Sequence, residues 1–177
     1  FGFDLGAEKF FDIKCVKAGL KPSAVVMVAT VRALKYHGGA KLDQLKEPNL
    51  EALKKGVANL EKQVENMKKF NICPVVAINK FVTDTDAEIA ELTRLCNDYG
   101  VPVELNECWE KGGEGGIELC KKIINTLETK ESHFKPLYED SLGIAEKIET
   151  IAKEIYGAGS VSYSPAAKKA IAKITDM

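Results

Sequence analysis

Hydrophobic and polar positions change period several times along the chain, and each change marks an element. Ala24-Val25-Val26-Met27-Val28-Ala29-Thr30-Val31 is a short run rich in β-branched residues after the breaker pair Lys21-Pro22, which predicts a strand buried on both faces. From Asn49 to Lys69 the apolar residues Leu50, Leu53, Val57, Leu60, Val64 and Met67 recur every three or four positions. That spacing predicts a long amphipathic helix, with Asn49 after Pro48 as its cap. Cys73 to Asn79 is a second apolar run, and Thr85-Asp86-Ala87-Glu88 is a capping box opening a helix that ends near Tyr99-Gly100. Val101 to Asn106 predicts a third strand, and the turn Gly112-Gly113-Glu114-Gly115-Gly116 leads into a helix from Ile117 to about Leu127.

Strands that alternate with helices imply a parallel sheet, with ligands at the carboxyl ends of the strands. The expected fold class is therefore α/β: a three-layer, open, mainly parallel sheet of Rossmann-like or P-loop NTPase-like kind. Past Lys130 the pattern becomes helical, with Ile144, Ile148, Ile151 and Ile155 in line between about Leu142 and Tyr156, then Gly157-Ala158-Gly159 and a last helix after Pro165. The expected organisation is a tail of a preceding unit over residues 1–23, an α/β domain over 24–130 and a truncated helical segment over 131–177. Phe1 in place of Met, and an uncapped Ile174-Thr175-Asp176-Met177, read as cut ends.

Composition narrows the function classes. With 45% hydrophobic and 29% charged residues, 177 residues suffice for one sizeable core and a small appendage. The 25 basic and 26 acidic side chains leave a net charge of -1, so no positive field draws the chain to nucleic acid or an anionic membrane. No apolar run reaches the roughly 20 residues of a membrane span, and a cytoplasmic location is expected. Cys15, Cys73, Cys96, Cys108 and Cys120 show no C-x-x-C spacing, so they read as small buried hydrophobes rather than metal ligands or disulfides.

Chemistry-bearing residues follow each strand. After the first come Arg32 to Lys35 and Tyr36-His37-Gly38-Gly39, after the second Asn79-Lys80-Phe81, and after the third Glu107-Cys108-Trp109-Glu110-Lys111-Gly112-Gly113. Paired glycines permit positive φ and exposed amides, although ordinary turns use them too. His37 could carry a proton or contact an anion, or simply be structural. Asn79-Lys80 resembles the base-reading Asn-Lys pair of nucleotide-binding P-loop proteins but has Val82 where an acidic residue is usual; Asn79 equally well ties off its loop. Trp109 is either core or, given its charged and glycine-rich surroundings, a surface platform. The phosphate-cradling G-x-x-x-x-G-K-[ST] is absent from the sequence.

Longer words carry a resemblance. Phe1-Gly2-Phe3-Asp4-Leu5-Gly6-Ala7-Glu8-Lys9-Phe10, Val28 to Lys35 with His37-Gly38-Gly39, Ala77-Ile78-Asn79-Lys80-Phe81, Trp109 to Gly116, Lys147 to Gly157 and Tyr163-Ser164-Pro165 together resemble formate-tetrahydrofolate ligase over essentially the whole chain. Two departures are Phe3, where the family usually has a small residue, and Val82, where it often has Pro.

The resemblance implies a homotetrameric cytosolic ligase of one-carbon metabolism. It would convert formate, tetrahydrofolate and MgATP to 10-formyltetrahydrofolate, ADP and phosphate through formyl phosphate, with a monovalent cation allowed for. The P-loop and magnesium ligands are then expected upstream, in the rest of the same polypeptide, leaving no metal ligands here and an isolated piece without activity. The site residues implied for substrate are Phe81 and Trp109 as walls of a pterin slot, Leu105 lining it, and Phe1 and Gly6; His37, Gly38, Gly39, Asn79 and Lys80 would form an active-site loop. The alternative is a non-catalytic α/β module that binds a nucleotide or another protein.

Overall fold

A computed structural model describes residues 3–176, with side chains from Gly6 onward. Along the chain run helix α1 (Phe3–Lys9), a π-helical turn at Phe10–Cys15 and the short α2 (Val16–Ala18). Strand β1 (Val25–Ala29), helix α3 (Val31–His37) and the 20-residue helix α4 (Leu50–Lys69) follow. Next come β2 (Pro74–Asn79), α5 (Asp86–Asp98), β3 (Val103–Asn106), α6 (Cys108–Lys111) and α7 (Ile117–Thr129). Helices α8 (Ile144–Glu154) and α9 (Pro165–Thr175) close the chain.

The chain divides into two compact units: Pro22–Phe134, and a second that joins the residues up to Lys21 with those from Lys135 onward. The sequence reading takes these two ends as separate pieces, but side-chain hydrogen bonds tie them. Leu137 N–H donates to Asp12 at 2.7 Å, and the Tyr156 hydroxyl donates to Glu8 at 3.0 Å.

Within Pro22–Phe134 the sheet has three parallel strands in the order β1-β2-β3. The protein is thus α/β, as its strand-helix alternation predicts. Central β2 is buried along Pro74–Ile78. Its Val75 and Ala77 pack with Leu119 and Ile123 of α7, and the two-residue period of a strand turns Val76 and Ile78, also buried, to the opposite face. Ser132 Oγ donates to Pro22 O at 2.6 Å and His133 N–H to Asn71 O at 3.3 Å, closing the unit.

Two expectations change. β1 is not buried on both faces: it pairs on one side with β2, and Val28 is 66% exposed while Met27 and Ala29 are buried. The residues after β1 are a helix rather than a loop. Thr30 has an extended backbone, and its hydroxyl accepts from Ala33 N–H at 3.2 Å, so the apolar run breaks into strand, cap and helix. The caps read from sequence at Asn49 and Thr85 are both present.

A buried ion pair pins three helices. Lys35 of α3 and Glu88 of α5 are fully buried, with Nζ to Oε1 at 2.9 Å. Lys35 also donates to Glu47 O at 2.8 Å, and Glu88 accepts from Asn49 N–H at the head of α4. Burial opposes the charge on Glu88, but hydrogen bonds from Asn49 N–H, Lys35 and Thr85 outweigh it and hold its pKa at about 2.

Candidate functional site

Register decides which loops share an edge. Ala29 pairs with Ile78, Ile78 with Leu105 and Asn79 with Asn106, so the carboxyl ends of all three strands lie level. Lys80 N–H extends the ladder by donating to Asn106 O at 3.1 Å. Just past this line stand Arg32, the Phe81 loop and the Glu107–Trp109 segment.

The two loops after β2 and β3 are cross-tied at their roots. Asn106 Nδ2 donates to Asn79 Oδ1 at 3.3 Å, and Lys80 Nζ lies 3.2 Å from Glu107 Oε1. Lys111, one turn along, donates to Glu107 Oε2 at 2.6 Å. The Lys111 and Lys80 ammonium groups hold the Glu107 carboxyl below its usual range. Asn79 and Lys80 are therefore engaged with the neighbouring loop, which matches the loop-tying reading of Asn79.

Phe81 is held through its backbone and over one face of its ring. Its N–H donates to Asp84 Oδ2 and its carbonyl accepts from Asp84 N–H, both at 2.9 Å. The Arg32 guanidinium stacks 4.4 Å from the ring centroid, and its Nη2 donates to Thr83 Oγ1 at 3.2 Å. Burial raises the Asp84 carboxyl, against the Phe81 N–H bond and the Arg32 charge, which lower it.

Trp109 sits on α6, three residues past Asn106, and is 76% exposed. It is no part of the core. The glycine run behind it is folded back onto the root of the loop: Glu107 N–H donates to Gly115 O at 3.0 Å, and a Cβ on Gly115 would fall 2.5 Å from Glu107 O. Gly112, at φ +60°, makes the reversal in a region other residues rarely adopt. Leu105, half-buried on β3, lies level with Ile78.

The remaining sequence candidates lie elsewhere. His37 ends α3, about 8 Å along the helix axis from Arg32, since an α-helix rises about 1.5 Å per residue. Gly38 serves packing: a Cβ there would lie 1.8 Å from Ala52 O of α4. Gly39, at φ +94°, turns the chain after it. Gly6 is buried in α1, in the other unit, and Phe1 lies outside the described residues. So the structure gathers Asn79, Lys80, Phe81, Leu105 and Trp109 at the carboxyl edge and separates His37, Gly38 and Gly39 from it.

Thr83 and Asp84 were not singled out by sequence reasoning, which named Arg32 and Glu107 only within the strand-end runs. For Arg32 a signal was present: it is the second residue of α3, and side chains in a first helical turn tilt back toward the helix N-terminus and so toward the strand ends.

Among the described residues no group of three His, Cys, Asp or Glu side chains is placed to hold a metal ion, and no helix is long and apolar enough to cross a membrane. All five cysteines are free thiols. The family model for Formate--tetrahydrofolate ligase matches residues 1–177, the whole length of the chain.

Proposed function

The chain belongs to the formate–tetrahydrofolate ligase family, and we propose that it contributes the folate side of that enzyme's cleft. The family joins formate to tetrahydrofolate at the expense of ATP. On our reading the pterin ring lies between Phe81 and Trp109 with Leu105 beside it, at the carboxyl edge of an open, three-layer sheet of nucleotide-binding type.

One observation supports this above the rest: the Asn79–Asn106 register sets Phe81 and Trp109 at the same sheet edge, and the Lys80–Glu107 pair ties their loops together. A flat heterocycle is held well between aromatic faces, which offer contact area and fix where its reacting nitrogen points. An indole left 76% exposed is free for that use.

The rest of the proposal follows the family. Formyl phosphate is the intermediate, MgATP and tetrahydrofolate are the substrates, and a monovalent cation is allowed for. The assembly is a cytoplasmic homotetramer. Phosphate and metal are held by a segment other than this one: a transferring phosphoryl group needs a cradle and a cation, the sequence carries no G-x-x-x-x-G-K-[ST], and no metal-holding cluster stands among the described residues. The 177 residues alone should then form no 10-formyltetrahydrofolate; ATP- and formate-dependent product from them would contradict this assignment.

Trp109→Ala in the enzyme expressed from its whole coding sequence tests the slot. If ring stacking contributes roughly 1 to 3 kcal/mol, as for nucleobases, the tetrahydrofolate KM rises about 5- to 150-fold with the ATP KM nearly unchanged. Equal damage to both constants would reject the slot.

A further inference from the structure

We propose that Arg32 is a positioning residue for the pterin slot, its guanidinium backing one face of the Phe81 ring so that the other face is presented to tetrahydrofolate. This rests on reading Phe81 as a slot wall.

The backbone of Phe81 is already closed on Asp84 through its N–H and its carbonyl, so what remains loose is the ring. Hydrogen bonds cannot orient a phenyl group; a flat partner can. The guanidinium supplies one at 4.4 Å, and it is itself steered by the bond from Nη2 to Thr83 Oγ1. Its Nε is buried with no hydrogen-bond partner. A buried N–H left unpaired is costly, which points to a position chosen for the ring rather than for hydrogen bonding. We take Arg32 to act through Phe81, the ring over which its guanidinium lies.

Location agrees with the role. Arg32 comes from the first turn of α3, whose cap Thr30 directly follows β1, while Phe81 and Thr83 come from the loop after β2. The guanidinium therefore joins the segments after β1 and β2, as the Lys80–Glu107 pair joins those after β2 and β3. A cation behind one face also draws π density from the ring, which suits the free face to an electron-rich heterocycle. Lysine would keep the charge but not the plate.

The test uses the enzyme from its whole coding sequence, with Arg32→Ala, Arg32→Lys, Phe81→Ala and the double variant Arg32→Ala with Phe81→Ala. A lost cation–π support predicts a tetrahydrofolate KM raised roughly 2- to 30-fold by Arg32→Ala, with a smaller rise for Arg32→Lys and the ATP and formate constants held. In the Phe81→Ala background, removing Arg32 should add less than about twofold, the mark of two residues acting as a unit. Full additivity would mean that Arg32 touches substrate itself and would overturn the proposal. So would a Phe81→Ala defect with no Arg32→Ala defect, which would show a ring that needs no backing. If Phe81→Ala alone leaves the tetrahydrofolate KM unchanged, the slot reading falls and this inference with it. Should Arg32→Ala fail to fold, Thr83→Val removes only the steering acceptor: a selective rise in the tetrahydrofolate KM upholds the proposal, and an unchanged constant rejects it.

Discussion

Substituting Glu88 by Gln asks how much of the α/β unit depends on one buried pair. Lys35 and Glu88 are both 0% exposed. The variant keeps the shape of the side chain but leaves the Lys35 ammonium buried without a countercharge, and turns an amide donor toward Thr85, whose N–H and hydroxyl both donate to Glu88 in the wild type. Breaking a buried pair in this way costs about 3–5 kcal/mol, a large share of the roughly 5–15 kcal/mol that separates a folded domain from its unfolded chain.

A second route to the magnitude is the proton. Glu88 titrates at about 2 in the folded state against a reference of 4.5. A depressed carboxylate pKa stabilises the fold above the unfolded value and loses that contribution as pH falls from 4.5 toward 2. At about 1.4 kcal/mol per unit this amounts to about 3 kcal/mol, in line with the mutational figure. Urea unfolding followed by far-UV circular dichroism at pH 7, 5 and 3 measures both. The variant should be about 3 kcal/mol or more less stable at pH 7, and the gap should narrow at pH 3, where the unfolded wild-type chain has taken up the Glu88 proton while the folded state, with its pKa at about 2, has not. A gap of equal size at pH 3 and pH 7 would refute the electrostatic account. Replacing both partners by Met should recover part of the loss but not all, because Asn49 N–H and Thr85 N–H would still lack their acceptor.

Three other outcomes can be checked. Burial, helped by the charge of Glu8 and opposed by Leu137 N–H, raises Asp12 from 3.8 to about 6. The folded state thus binds that proton more tightly than the unfolded chain, and stability falls by about 3 kcal/mol as pH rises from about 4 past 6. Asp12→Asn keeps an acceptor for Leu137 and should abolish that fall in a series of melting temperatures from pH 4 to 8; identical profiles would exclude it. Gly38→Ala drives a Cβ to 1.8 Å from Ala52 O and should lower Tm by about 3–10 °C, whereas Gly113→Ala, with nothing within 4 Å, should stay within about 0.5 kcal/mol of the wild type. Trp109→Ala, removing an exposed ring, should likewise leave stability within about 0.5 kcal/mol of the wild type by urea unfolding, so that any kinetic effect belongs to ligand rather than fold.

Strong local signals were readable before any coordinates. Asn49 and Thr85 cap as their side chains dictate, and the apolar run from Cys73 holds the central strand Pro74–Asn79 because an unbroken apolar run fits a segment covered on both faces. What the sequence could not show was which run would lie at the edge. Ala24–Val31 looks the same as the central run, yet β1 has a neighbour on one side, and its outward Val26 and Val28 stay exposed. Nor could local pattern reveal that Asp12 and Leu137, 125 positions apart, meet.

The site was legible to the extent that strand ends were placed correctly, and misread where one element was missed. Taking the residues after β1 for a loop put His37, Gly38 and Gly39 beside the other strand ends. Thr30 instead caps a helix of seven residues, whose axis carries His37 away from the edge while its first turn leaves Arg32 there. Glycine was an ambiguous residue type: a neighbouring helix passes against Gly38, which by itself accounts for its size. Asn79 and Lys80 were correctly located but spent on partners that no local pattern names: Asn106 and Glu107 lie 27 positions later and meet them only through the β2–β3 register. Charge at a strand end is therefore weak evidence of ligand contact until its pairing is known, whereas an aromatic ring left exposed beside such pairs, as Trp109 is, is not accounted for by the core.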